Sequence, residues 1–81
     1  MKNDFMFHIK YFDIDKFDEL FKELISQEEF HASMIFAKKF KKENEAIYKI
    51  KISPTALIKL KKNLDKYLVY ESFELFVFKH W

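Results

Sequence analysis

Glycine, cysteine and arginine are all missing from this chain of 81 residues, and proline occurs once. Without glycine there is no P-loop, no dinucleotide fingerprint and no glycine-rich oxyanion loop. Without cysteine there is no disulfide framework, no thiolate nucleophile and no thiolate metal ligand. Every one of the 15 basic residues is lysine, a point charge that cannot make the planar two-pronged contact of arginine with guanine, phosphate or carboxylate. Codon usage in an AT-rich genome accounts for these gaps, and such genomes suit many low-GC bacteria and their phages. No apolar run approaches the roughly 20 residues of a membrane span. The segment from Met1 to Tyr11 has no signal-peptide pattern, so a cytoplasmic location away from membranes is expected.

What the chain has in plenty is aromatic surface. Eleven Phe, four Tyr and one Trp supply the core of one small domain over residues 1–81. The net charge of +2 hides segregation, for residues 1–30 hold eight acids and four lysines, and residues 31–66 hold ten lysines and three acids. This is a polar molecule, not a broadly cationic one.

The pivotal stretch is Tyr48 to Leu60, where the apolar period changes from two to about 3.6 at Ser53-Pro54. Tyr48, Ile50 and Ile52 alternate with Lys49 and Lys51, as in a half-buried strand. Ser53 suits a helix N-cap and Pro54 the first helical position, after which Leu57, Leu60, Leu64 and Leu68 recur at helical spacing to about Lys66.

Upstream, Phe5–Phe12 alternates and predicts a first strand with Phe5, Phe7, Ile9 and Tyr11 inward. Asp13 or Asp15 caps a helix with the stripe Ile14, Phe17, Leu20, Phe21, Leu24 and Ile25. Lys16, Asp18, Glu19, Lys22 and Glu23 are expected on its wet side. A second strand is predicted over Glu29–Phe40, with Phe30, Ala32, Met34 and Phe36 inward and His31, Ser33, Ile35 and Ala37 outward. Asn44 is the best residue of the following turn for a left-handed conformation. A last strand lies within Val69–Lys79, with Phe73, Leu75 and Val77 alternating against Glu74, Phe76 and Phe78. The order β-α-β-β-α-β predicts the ferredoxin-like arrangement, a four-stranded antiparallel sheet of order 4-1-3-2 with both helices on one face.

The other face is then open. It presents Met6, His8, Lys10, Ile35, Ile47, Lys49, Lys51, Phe76, Phe78 and His80, more apolar surface than a fully wet face needs. The fourth strand is an edge with little charge to guard it, which predicts cover by a second copy, a partner or a C-terminal tail ending in Trp81. All three histidines (His8, His31 and His80) are expected toward one end of this face. Solvated surface histidines are favoured over a metal centre, and no metal or cofactor is expected.

No hydroxyl nucleophile sits in an evident constellation, and paired acids such as Asp13/Asp15 and Glu28/Glu29 lie at element ends, so no catalytic role is expected. The predicted fold is shared with RNA-recognition domains, which stack bases on aromatics of the first and third strands. The corresponding outward positions here carry none. A lysine set of Lys38, Lys39, Lys41, Lys42, Lys59 and Lys62 supports an alternative of weak phosphate contact with nucleic acid.

The run Ile47 to Lys62, I-Y-K-I-K-I-S-P-T-A-L-I-K-L-K-K, resembles the opening strand and helix of ParE/RelE-type toxins. That resemblance implies a toxin–antitoxin component as a further alternative. In those toxins the motif begins the chain and a basic sheet bearing the active residues follows. Here 46 residues precede it and one short strand follows, so no functional residue is carried over. The favoured expectation is a non-enzymatic protein-binding module. Its size and absences suit a small phage or mobile-element inhibitor, anti-CRISPR-like, that occupies a surface of a host macromolecular complex.

Overall fold

In the computed structural model, residues 2–68 and 73–79 are described. The elements run β1 (Asn3–Tyr11), α1 (Ile14–Ser26), a short 3-10 turn (Glu28–Phe30), β2 (Ser33–Phe40), β3 (Glu45–Ile52), α2 (Pro54–Tyr67) and β4 (Phe73–Lys79). The sheet order is β2-β3-β1-β4 with every neighbouring pair antiparallel. This is the ferredoxin-like order expected from the sequence. Expectations placed on Val69, His80 and Trp81 lie outside the described residues.

Local chemistry sets each boundary. The backbone N–H of Lys16 donates to Asp13 Oδ1 at 3.2 Å, so of the two candidates Asp13 is the α1 cap. The N–H of Ala56 donates to Ser53 Oγ at 3.2 Å, with Pro54 opening α2. Between β2 and β3 the chain turns through Asn44 at φ 53°, in the left-handed region, and the Asn44 carbonyl accepts from the Tyr11 N–H at 2.9 Å.

The two central strands meet the helices with one face each. Phe5, Phe7, Ile9 and Tyr11 of β1 and Ala46, Tyr48, Ile50 and Ile52 of β3 are all buried. α1 covers them with Ile14, Phe17, Phe21, Leu24 and Ile25, and α2 with Ala56, Leu60 and Leu64. Aromatic rings form the centre. Phe21 lies 5.2 Å from Phe7, 5.4 Å from Phe17 and 4.5 Å from Tyr48, centroid to centroid.

Asp18 departs from the sequence expectation, since it is buried instead of wet. Tyr48 Oη donates to its Oδ1 at 2.6 Å, and Lys22 Nζ lies 2.9 Å from its Oδ2. Helical periodicity puts Asp18 beside the apolar stripe, and the Tyr48 hydroxyl reaches it from the sheet below. Burial alone would push the Asp18 pKa up, but the Tyr48 hydroxyl and Lys22 outweigh it and hold the carboxyl below its ordinary value of 3.8. Burial first, and then Asp18, push the Tyr48 phenol far above its ordinary range, so it stays a donor.

β2 is the second departure. It begins at Ser33 instead of Glu29, because Glu28–Phe30 closes a 3-10 turn that ends with His31 at φ 47°. Phe30 is nevertheless buried. The ladder then slips between Met34 and Phe36, where Met34 pairs with Ile50 but Phe36 pairs with Lys49. Ile35 is the extra residue of a β-bulge, and the bulge reverses the alternation behind it. Phe36 therefore leaves the helix side, where periodicity placed it. Ala37 moves to the helix side opposite Tyr48, and Lys39 follows it opposite Ala46. From there Lys39 Nζ pairs with Asp15 Oδ1 at the start of α1, and Lys41 Nζ lies 3.4 Å from Asp15 Oδ2. The hydrogen bond from Lys39 is the leading cause of the depressed Asp15 pKa.

The Tyr48–Asp18 bond yields two expectations. Tyr48→Phe leaves a buried carboxylate without its hydroxyl and should cost about 1–3 kcal/mol in urea unfolding. Asp18 has a folded pKa below its unfolded value. Its contribution is complete above about pH 4 and is lost as pH falls through the lower folded value. Asp18→Asn should therefore flatten the acid limb of the stability–pH profile, while Asp65→Asn on the exposed side of α2 should not.

Candidate functional site

With both helices on one face, the second set of side chains from β1 and β3 faces outward, and the strand pairings arrange it in rows. The first row runs Phe78, Met6, Lys49, Phe36 across β4, β1, β3 and β2. The next is Phe76, His8, Ile47, Lys38, and the third is Glu74, Lys10, Glu45, Phe40. Beyond the first row stand Asp4, Lys51 and Ser33.

The two middle rows are largely apolar. Phe76 is 58% exposed, Phe78 54% and Phe36 47%, so both outer strands hold rings into solvent. Met6, His8, Ile47 and Lys49 between them are half-buried. The His8 and Phe76 rings sit 6.4 Å apart. His8 Nε2 is shielded and makes no hydrogen bond among the described residues, with Glu45 Oε2 at 3.5 Å. The margins are charged. Lys49 Nζ is 3.8 Å from Asp4 Oδ2, and Lys38 lies over the Phe40 ring at 5.2 Å.

Of the residues singled out from sequence, Met6, His8, Lys10, Ile47, Lys49, Lys51, Phe76 and Phe78 share this face by their register. Ile35 does not take a row position, because it is the bulge residue on the edge. His80 lies outside the described residues. The histidines do not gather at one end. His8 stands mid-strand, and His31 is off the sheet in the turn before β2. Among the described residues no group of His, Asp and Glu is arranged to hold a metal ion.

Sequence reasoning missed Phe36, Phe40, Asp4 and Glu45 as members of the face. Asp4 and Glu45 were legible as the next even and odd steps of β1 and β3. Phe36 and Phe40 were hidden by the bulge. The lysines set apart for nucleic acid fall on two elements. Lys38 to Lys42 surround the end of the β2–β3 hairpin, and Lys59 and Lys62 are exposed on α2. Lys39 and Lys41 are already engaged by Asp15.

On the helix side a groove of about 290 Å³ is lined by Tyr11, Lys16, Phe17, Leu20, Tyr67 and Leu68. Its polar groups are one lysine and two phenols. No helix among the described residues is long and apolar enough to cross a membrane.

No protein-family model matches the chain, and no curated protein does. Among solved structures the chain is similar to CPII, a nitrogen regulatory PII-like protein from Thiomonas intermedia K12 bound to ADP, AMP and bicarbonate. That match is 13% identical, covers 99% of this chain and 87% of the other, and has a TM-score of 0.49. A chain named as a PII-like signaling protein from Thermus thermophilus is also 13% identical. It is matched over 100% of this chain and 89% of its own, with a TM-score of 0.48.

The two faces of the sheet should respond in opposite ways to substitution. Phe36→Lys, Phe76→Lys and Phe78→Lys should each cost no more than about 1 kcal/mol in unfolding free energy, because about half of each ring is already in water. Phe7→Ala, on the sealed face, should cost about 3–5 kcal/mol. Urea titrations followed by circular dichroism measure both.

Proposed function

We propose that this chain is a non-enzymatic protein-binding module that works through the open face of its sheet. The observation that carries the reading is the apolar centre of that face. Phe36, Phe76 and Phe78 are each about half exposed around Met6 and Ile47. Rings held half in water cost solvation free energy that a partner recovers by covering them. The charged margin at Asp4, Lys10, Glu45 and Lys51 matches the usual build of an interface, with an apolar centre inside a polar rim.

In its narrower form the proposal makes the chain a small phage or mobile-element inhibitor that seats on a surface of a host defence complex. The AT-rich composition and the apolar centre of the open face support this form. The nucleic-acid alternative draws on Lys38, Lys39, Lys41, Lys42, Lys59 and Lys62. It loses force where Asp15 neutralises Lys39 and Lys41. The open face also presents no Phe, Tyr or Trp on β1 or β3, and His8 is its one ring there for base stacking.

Tagged wild-type chain should retain a host protein from lysate at about 0.15 M salt. Phe76→Lys/Phe78→Lys, folded by circular dichroism, should retain it at least about tenfold less. Equal retention by the double variant, or tight binding to RNA or DNA that collapses with added salt, would overturn the reading.

A further inference from the structure

We infer that a second copy of this chain covers the open face, with the two sheets packed face to face about a two-fold axis. The axis runs along the strands, between β1 and β3. This rests on reading that face as a docking surface, and names the occupant that a host protein must displace.

The argument is the charge pattern across the two central strands. Asp4 pairs in register with Lys51, and Lys10 pairs with Glu45. An axis between β1 and β3 exchanges the two strands when one copy is laid on the other. Asp4 of one copy then stands over Lys51 of the other, and Lys10 over Glu45. Each of these contacts occurs twice, as a two-fold interface requires. The same operation exchanges β4 with β2. Phe78 meets Phe36 of the other copy, ring against ring, and Phe76 meets Lys38, a cation over an aromatic face. A face that carried one sign of charge would repel its own copy. This one is complementary to itself at both charged ends, with Met6, Ile47 and the outer rings between them; Lys49, which comes over Met6 of the other copy, keeps its charge beside Asp4 of its own chain.

The bulge at Ile35 completes the arrangement, because without the slip Phe36 would lie on the helix side and Phe78 would face no ring. The size also fits a modest dimer. Four strands at about 4.8 Å spacing and seven residues at about 3.3 Å rise give a patch of roughly 19 by 23 Å. That is roughly 440 Å² in projection from each copy, below the usual range of specific interfaces, so the dimer is a weak one that forms at high concentration. Stacked sheets pack about 10 Å apart and about 30° from parallel, which shifts the strand ends by about one strand spacing, a distance that the long side chains of Lys10, Glu45 and Lys51 span. The apolar centre supplies affinity, and the charged ends choose this pairing over others. The assembled particle has four layers with helices on both outer sides, and the outward rings of β4 are covered.

Sedimentation of charge-reversed variants, alone and mixed, tests the pairing. At about 100 µM the wild type should sediment as a particle of twice 10.0 kDa. Lys10→Glu and Glu45→Lys alone each set like charges together twice, and each should dimerise about a hundredfold more weakly. An equimolar mixture of the two restores opposite charges at both contacts and should dimerise like the wild type. Asp4→Lys and Lys51→Asp make the same measurement at the other end of the face, should either first variant fail to fold. A monomeric or trimeric wild type, single variants that dimerise undiminished, or a mixture of folded variants that stays monomeric would each overturn the inference. The two readings fail separately. A monomer whose Phe76→Lys/Phe78→Lys variant still loses a host protein sinks only the dimer. A dimer indifferent to Phe76→Lys/Phe78→Lys, with capture of the host protein equally indifferent, sinks the open-face reading as well.

Discussion

Everything in this fold follows from having two helices and one sheet, with both helices on the same side. A pleated strand sends successive side chains to opposite faces, so sealing Phe5, Phe7 and Ile9 of β1 necessarily releases Met6, His8 and Lys10. The same holds in β3 for Tyr48 and Ile50 against Ile47 and Lys49. The stability of the domain and the availability of its open face are two results of one alternation. No rearrangement can improve one without touching the other, since a one-residue slip would exchange the two sets.

The segregated charge of the chain finds part of its explanation inside the molecule. Four of the eight acids of the first third lie on α1, and six of the ten lysines of the middle lie on β2, β3 and the turn between them, the other four on α2. Asp15 takes up Lys39 and Lys41, so the bulged edge strand is tied to the start of α1. Asp18 carries the other link, accepting from Tyr48 of β3 beneath the helix while Lys22 covers it from the same helix. A buried carboxylate is costly unless its oxygens are satisfied, and here both have a partner. The excess of lysine is therefore a weaker argument for a polyanionic partner than composition alone suggests.

The open face is unlike a solvated sheet surface in one respect, which is where its rings sit. Phe36 on one side and Phe76 and Phe78 on the other flank a half-buried middle of Met6, His8 and Ile47. Opposite charges stand at both ends of the central pair of strands. That arrangement has the form of an interface before any partner is considered.

Strand and helix periodicity, the Ser53-Pro54 cap and the Asn44 turn are local matters, settled by each residue's own conformational preferences and spacing. Those alone determined the element order, the strand order, the buried set of β1 and β3, and the exposure of Phe76 and Phe78. Where the ladder breaks is not local. Met34-Ile35-Phe36-Ala37 is apolar throughout and has no alternation to read, so only pairing with β3 could decide that Ile35 is the extra residue and Phe36 faces outward. Asp18 likewise carries a charge that reads as wet, and its burial waited on a tyrosine hydroxyl 30 positions further along the chain. His8 and His31 were parted for the same reason, since a 3-10 turn took the place of the start of β2. Contacts between distant segments carry no signature in either segment, which is why tertiary structure alone could supply these.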